Sequence, residues 1–234
     1  MADSIRLTAA VGFLVVVLAG WTAPAPASQK CLSAMSAAAP PQAVLRIDHA
    51  PSRHDFTRGR EDLYAIVRRH GTADAAARMS GRRVHGLTHS SLGYQLQGSF
   101  DAVGLPDGSW CLWPRSVEAD LGYSDTTVYV ARDYPPGTCA FDAVLAHEHE
   151  HVGINEQVVA DHAGRLRDAL LRLARQGFPL AGPDPAVLRA RGQAMMDAGF
   201  RDALTPLLAD RTRRNAAIDT ESSYRALNGR CDRW

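Results

Sequence analysis

The sequence has almost no excess of positive over negative residues, and it has almost no lysine. Its 234 residues include 26 Lys and Arg against 25 Asp and Glu, which gives a formal net charge of +1. A nucleic-acid-binding protein normally carries a basic surplus, so this balance argues against that class. Lys30 is the single lysine, and the arginines are scattered among acidic residues. The arginine usage therefore looks like codon bias rather than a binding patch.

The sequence also lacks an apolar run long enough to span a membrane. The apolar stretch at residues 7–20 is shorter than a membrane-spanning helix. It follows Arg6 and precedes Ala25-Pro26-Ala27, which has the small-x-small form that signal peptidase accepts. Residues 1–27 are therefore predicted to be a signal peptide, with an uncleaved N-terminal anchor as the alternative. Cleavage would leave no stable membrane span, and the mature chain would be exported to the periplasm or the extracellular space.

Cysteine is scarce, and no two cysteines have the Cys-x-x-Cys spacing of a thiolate zinc site. The four that exist, Cys31, Cys111, Cys139 and Cys231, all follow the predicted cleavage site. An even number in an exported chain predicts disulfides, and four cysteines allow three connectivities. We expect Cys111 to pair with Cys139, closing a loop around two strands. Cys31 is then expected to pair with Cys231, joining the two ends of the chain.

The rest of the chain predicts strands followed by helices. Residues 28–60 contain an Ala/Pro stretch and little periodicity, which predicts an irregular N-terminal arm. Residues 61–79 have a helical pattern, and strand-like runs follow at 84–89, 94–100, 110–121 and 126–131. Short gaps with turn sequences between these runs favour antiparallel neighbours. The pattern becomes helical from Phe141, breaks at 180–186, and predicts further helices over 187–229.

The most informative segment is His147-Glu148-His149-Glu150-His151, which contains a His-Glu-x-x-His motif. The alternation of His and Glu has a period of two residues, which would also suit a strand. The flanking apolar residues, however, are spaced three and four apart, which predicts a helix. On a helix His147 and His151 lie on one face, so both imidazoles can bind one metal ion. Glu148 lies near the same site and can accept a proton from metal-activated water. The motif therefore predicts a hydrolytic metal centre, with a non-catalytic metal site as the alternative.

The motif segment 144–151, with the strand-like residues 128–131 and the Pro-Pro-Gly turn before it, resembles the zincin metallopeptidases. Its wider pattern is similar to bacterial secreted families of zinc-dependent proteases. The resemblance implies an α+β fold in which a small antiparallel sheet packs on the motif helix, with a helical C-terminal part. It also implies a zinc cofactor and a peptide substrate that pairs with an edge strand above the cleft, expected at residues 126–131. Residues 61–179 are then the expected catalytic domain, and residues 180–234 a helical extension packed on it.

Zincins use a third protein ligand and leave a fourth position for water. Glu156 is the nearest carboxylate after the second motif histidine, but it can bind only if the helix breaks between them. Without a break, Glu156 lies on a solvated face. Asp161 and His162 need the same break, whereas Glu221 and Asp219 would arrive from a later helix. We expect Glu156 as the third ligand, with Glu221 as the second choice.

The expected function is a secreted zinc metallopeptidase that hydrolyses peptide or protein substrates, with Glu148 as the general base. Tyr224 and His162 are candidate hydrogen-bond donors to the developing oxyanion. Two alternatives stay open. One is a non-catalytic envelope protein that binds metal through the His-rich helix, and the other is a structural envelope domain in which the histidines are incidental.

Overall fold

The architecture is an α+β arrangement, seen in a computed structural model that describes residues 29–70 and 84–234. These residues form, in chain order, α1 (Gln29–Ser36), β1 (Gln42–Ile47), β2 (Arg53–Asp55), α2 (Arg60–His70), β3 (Gly86–Gly104), β4 (Trp110–Val130), α3 (Cys139–Leu173), β5 (Leu180–Gly182), α4 (Pro185–Ile218) and α5 (Glu221–Asn228). The predicted α+β class is confirmed. The predicted signal peptide, residues 1–27, and residues 71–79 of the helix predicted over 61–79 lie outside the described residues.

β4 is the central strand of the sheet. β3 pairs with one edge of β4 in antiparallel register, from Gly86 opposite Val130 to Gly104 opposite Trp110. Along the other edge lie β5, β1 and β2, of which β1 and β2 run parallel to β4 and β5 runs antiparallel. The sheet is therefore mixed, and the prediction of an antiparallel sheet is wrong. Short gaps predict antiparallel pairing only for consecutive strands, whereas residues 48–109 separate β1 from β4 and allow a parallel crossover.

The segment 28–60, predicted to be irregular, contains α1, β1 and β2. β1 has six residues with exposed and half-buried positions, and β2 has only three residues. Strands this short carry too little periodicity for the sequence to predict them. Both pair with β4, so this part of the chain belongs to the sheet.

β3 and β4 form one long hairpin. The four runs predicted as separate strands merge into these two, because the turn-like residues between them do not end either strand. A register shift between Ser91 and Leu92 accommodates one extra residue of β4, as in a β-bulge. One of the turn sequences predicted between the runs, Leu105-Pro106-Asp107-Gly108, forms the turn of this hairpin, since the Gly108 amide donates to the Leu105 carbonyl at 3.0 Å and Gly108 has a φ of +83°.

The expected edge strand, residues 126–131, does not lie at an edge. Residues 127–129 pair with β2 on one side and with β3 on the other. In the described part of the chain β3 pairs with β4 alone, so the outer edge of β3 is free of strand pairing. The N-terminal end of β3 also contacts the motif helix, because the Thr88 hydroxyl lies 2.9 Å from the Glu148 carbonyl oxygen.

Two long helices, α3 and α4, pack against each other and against the sheet. α3 begins after Thr138, whose hydroxyl accepts a hydrogen bond from the Phe141 amide at 3.2 Å. α4 begins after Asp184, whose carboxylate accepts from the Ala186 amide at 2.7 Å. Their apolar faces bury a core with β4. None of the helices in the described ranges is both long and apolar enough to cross a membrane.

Asp219 and Thr220 form the short junction between α4 and α5. The Thr220 hydroxyl accepts a hydrogen bond from the Ser223 amide at 3.1 Å, which fixes the start of α5. A helix end on each side therefore restricts the backbone of Asp219. This restriction positions the carboxylate of Asp219 opposite the first half of α3.

Two disulfides join distant parts of the chain, Cys31 to Cys111 and Cys139 to Cys231. The predicted pairing of Cys111 with Cys139 and of Cys31 with Cys231 is wrong. The parallel pairing of β1 with β4 brings α1 to the start of β4, while the segment after α5 returns to the start of α3. Which cysteines come close together depends on how these distant segments pack, and the spacing of cysteines in the sequence does not reveal this. The two disulfides fit an exported protein.

Peptide mapping of the non-reduced protein is expected to recover Cys31 linked to Cys111 and Cys139 linked to Cys231. The bonds span sequence separations of 80 and 92 residues, for which loop-closure entropy gives a stabilisation of about 4 to 5 kcal/mol each. The double variant C31A/C111A should lose about that much free energy of unfolding in a denaturant titration. A recovered peptide that links Cys111 to Cys139 would contradict the structure.

Candidate metal centre

The His-Glu-x-x-His motif lies on α3, as its flanking residues predict. His147 and His151 are one helical turn apart, with ring centroids separated by 4.9 Å. Their side chains are only 10% and 11% exposed. Both Nε2 atoms contact the same carboxylate oxygen, so the two imidazoles converge on one point. The helical interpretation of the motif is therefore confirmed.

Asp219 is the third group at this point. Its Oδ1 atom lies 3.2 Å from His147 Nε2 and 3.2 Å from His151 Nε2. The three donor atoms all lie within 4.8 Å of one another. Ligands bound about 2.0–2.1 Å from a tetrahedral zinc ion are about 3.3 Å apart, and both nitrogen–oxygen distances are close to this value. The chemistry of this donor set, two imidazoles and one carboxylate, also suits a divalent metal.

Neither predicted third ligand belongs to this group. Glu156 is exposed and lies about 140° round α3 from His151, on a helix that continues without the break that binding required. Glu221 is also exposed, and its carboxylate lies 3.0 Å from the Arg225 guanidinium. Asp219, ranked behind both in the sequence analysis, takes the position instead. Helical periodicity places residues around one helix, but it does not say which residue of a distant segment packs beside them.

The pKa values of Asp219 and His151 are shifted by the groups around them. Burial acts to raise the pKa of Asp219, but the hydrogen bonds from His147 and His151 outweigh burial and hold that pKa well below its usual range. Burial likewise acts to lower the pKa of His151. The hydrogen bond to Asp219 and the charge of Glu148 overcome this effect and raise the pKa of His151 to about 9. The negative charges of Asp219 and Glu148, which raise the pKa of His151, would also favour a bound cation.

Glu148 is buried beside these groups, with 5% of its surface exposed. The Thr88 hydroxyl lies 2.9 Å from Glu148 Oε2, so β3 fixes the direction of the carboxylate. Gly86 makes room for it, because a Cβ at this position would lie 2.6 Å from Glu148 Oε1. Burial raises the pKa of Glu148, and the charges of His151 and His147 oppose this change. A carboxylate with a raised pKa beside candidate metal ligands is suited to act as a general base.

A network of polar side chains behind His151 was not predicted from the sequence. His151 Nδ1 lies 2.6 Å from Asn215 Oδ1, so a proton on this nitrogen leaves Nε2 free to bind a metal. Asn215 Nδ2 donates to Asn155 Oδ1 at 3.0 Å and to the Arg211 carbonyl at 2.8 Å. The Arg211 guanidinium also donates to Asn155 Oδ1, at 3.1 Å. Asn155 occupies one of the apolar positions, spaced three and four apart, of the motif helix, and a polar residue there could have indicated a buried network. No sequence pattern pointed to Asn215.

Asn215→Ala is expected to weaken zinc binding about 10- to 100-fold, because His151 loses the acceptor that fixes its ring and tautomer. Competition with a chromophoric chelator measures this change. Asn215→Asp keeps the acceptor for His151 Nδ1 but loses the two hydrogen bonds that Nδ2 donates, so its affinity should lie between those of Asn215→Ala and the wild type. Thr212→Ala is a matched control on the exposed side of α4, where the Thr212 hydroxyl donates to the Leu208 carbonyl. Equal affinity in Asn215→Ala and the wild type would contradict the orienting role.

The two candidate oxyanion donors lie in different places. The Tyr224 hydroxyl donates to Asp219 Oδ1 at 3.1 Å, and its ring centroid is 5.7 Å from that of His147. His162 lies about three turns further along α3, where its Nε2 atom contacts Asp210 at 3.3 Å. Tyr224 is therefore part of the centre, whereas His162 is not.

Comparison with protein-family models, curated proteins and solved structures gives no significant match to this chain. The function therefore has to be inferred from the site itself.

Proposed function

We propose that this chain is an exported zinc-dependent metallopeptidase, active in the periplasm or the extracellular space. The observation that carries the proposal is the convergence of His147, His151 and Asp219 beside a buried Glu148. These residues come from the first half of α3 and from the junction after α4, so the fold itself assembles the donor set. A structural domain with incidental histidines gives no reason for this convergence.

His147 and His151 would hold the metal through Nε2, and Asp219 would hold it through a carboxylate oxygen. Three protein ligands are the usual number in a catalytic zinc site, where water or substrate occupies the fourth position. Bound zinc supplies a Lewis acid that lowers the pKa of water and polarises the carbonyl of the scissile bond.

Glu148 accepts the proton of the attacking water and then donates it to the leaving amine. Burial raises the pKa of this carboxyl, which brings it closer to the neutral range in which a general base works best. Thr88 holds one carboxylate oxygen and thereby limits the rotation of the side chain. Tyr224 is the donor that we assign to the oxyanion, because its hydroxyl lies among the metal-binding groups.

Among the described residues no strand pairs with the outer edge of β3, and its end at Gly86 and Thr88 supports a peptide as the substrate. Further along this edge, α4 side chains already hydrogen-bond to the backbone, Arg211 to the Ser90 carbonyl and Gln193 to the Leu96 carbonyl and the Gly98 amide. An extended peptide can add to an exposed strand edge through backbone hydrogen bonds. The end of β3 that carries Gly86 and Thr88 lies against Glu148, so a peptide paired there would pass close to the general base. This role falls to β3 and not to residues 126–131, of which 127–129 are paired on both sides.

The test combines metal analysis of the purified mature chain with a casein hydrolysis assay. One zinc per chain together with hydrolysis is the result we expect. Stoichiometric zinc without hydrolysis of casein or of a peptide library would favour a non-catalytic metal-binding protein. A chain that neither retains nor takes up metal, and whose melting does not respond to a chelator, would overturn the metal centre itself.

A further inference from the structure

A second pair of histidines meets away from the candidate metal centre. His54 in β2 and His149 in α3 face each other with Nε2 atoms 2.9 Å apart. Their rings meet edge to face, with centroids separated by 5.2 Å. Both residues are exposed to solvent. Two imidazole nitrogens from separate elements therefore converge at the surface.

The sheet register explains why these residues meet. Val128 of β4 lies opposite Thr88 of β3 and opposite His54 of β2, so the three side chains share one face of the sheet. Thr88 contacts Glu148 on that face, and His54 contacts the next residue of α3, His149. The fold thus holds His54 against the motif helix through strand pairing.

This pair is separate from the first centre. His149 lies about 200° round the helix from His147, so its ring points away from the point where His147, His151 and Asp219 converge. An ion bound between His54 and His149 would share no ligand with that centre. Metal binding by this pair therefore does not require peptidase activity at the first centre.

We infer that His54 and His149 form a second metal site, on the surface, that prefers Cu²⁺. Two nitrogen ligands in neighbouring positions of a tetragonal ion, each about 2.0 Å from it, lie about 2.8 Å apart. The observed 2.9 Å matches this spacing, and it is shorter than the about 3.3 Å of a tetrahedral zinc site. Imidazole is a good copper ligand, and Cu²⁺ has the highest affinity among the divalent first-row metals. Solvent exposure leaves the other coordination positions to water.

The test is a Cu²⁺ titration of the full mature chain, followed by electron paramagnetic resonance. Because copper can also enter the first centre, the titration is run in the wild type and in His147→Ala. We expect one Cu²⁺ with two-imidazole coordination to remain in His147→Ala. In the His147→Ala background, His54→Ala and His149→Ala should each lower the Cu²⁺ affinity of this site at least about tenfold. Glu150→Ala, an exposed change on the same turn, is the matched control and should leave binding unchanged.

Two results would overturn the site. The first is no copper with two-imidazole coordination in His147→Ala, which would mean that the two rings share only a hydrogen bond. The second is loss of binding in His149→Ala but not in His54→Ala, which would assign the ion to α3 alone. Circular dichroism shows whether each variant keeps its helices. If His147→Ala does not fold, the same comparison is made with the single variants, where one of two Cu²⁺ equivalents should be lost.

Discussion

Glu148→Gln is expected to lower peptide hydrolysis about a thousandfold while zinc stays bound. Glutamine has nearly the same shape as glutamate, and its amide oxygen can still accept the hydrogen bond from Thr88. It cannot accept the proton of the attacking water at neutral pH. The substitution therefore removes the chemical step and leaves the candidate ligands His147, His151 and Asp219 in place.

The control for this variant is Glu150→Gln, because Glu150 is an exposed glutamate two residues further along the same helix. Activity, zinc content and melting temperature are measured for both variants. Loss of activity with zinc retained in Glu148→Gln alone assigns the proton transfer to Glu148. Equal activity in Glu148→Gln and the wild type would remove Glu148 from the mechanism, and loss of zinc in this variant would give it a structural role instead.

The part of the centre on α3 could be predicted because it is local. The spacing of His147 and His151 fixes their common face once the flanking apolar residues indicate a helix. The position of Glu148 next to the two histidines follows from the same helical periodicity. The α+β class could be predicted for a similar reason, since turn sequences and changes of periodicity are properties of short segments.

The rest of the centre depends on contacts between distant segments. Asp219 reaches α3 only because α4 runs back along α3 and ends beside it. Glu156 was preferred because it is close in sequence, yet the uninterrupted helix turns it away. The disulfides were mispaired for the same physical reason, and β1 and β2 are too short to carry a pattern of their own. Each of these features is a product of tertiary packing, so sequence spacing alone did not determine it.

Asp219→Asn is expected to weaken zinc binding more than about 100-fold. An amide oxygen carries no charge and is a poorer zinc ligand than a carboxylate. The substitution keeps the size of the side chain and an oxygen that can accept the hydrogen bond from Tyr224. The junction between α4 and α5 should therefore keep its conformation, so that the change in affinity reports on the ligand itself.

Glu156→Gln and Glu221→Gln are the matched comparisons, because each removes one carboxylate that the sequence alone favoured as the third ligand. Both residues are exposed, and Glu221 is paired with Arg225, so both variants should bind zinc as the wild type does. Metal content after dialysis and competition with a chelator separate the three variants. If Glu156→Gln loses zinc and Asp219→Asn keeps it, α3 must break after His151 when metal binds. If all three variants keep zinc, the ion is not held by a carboxylate from any of these positions.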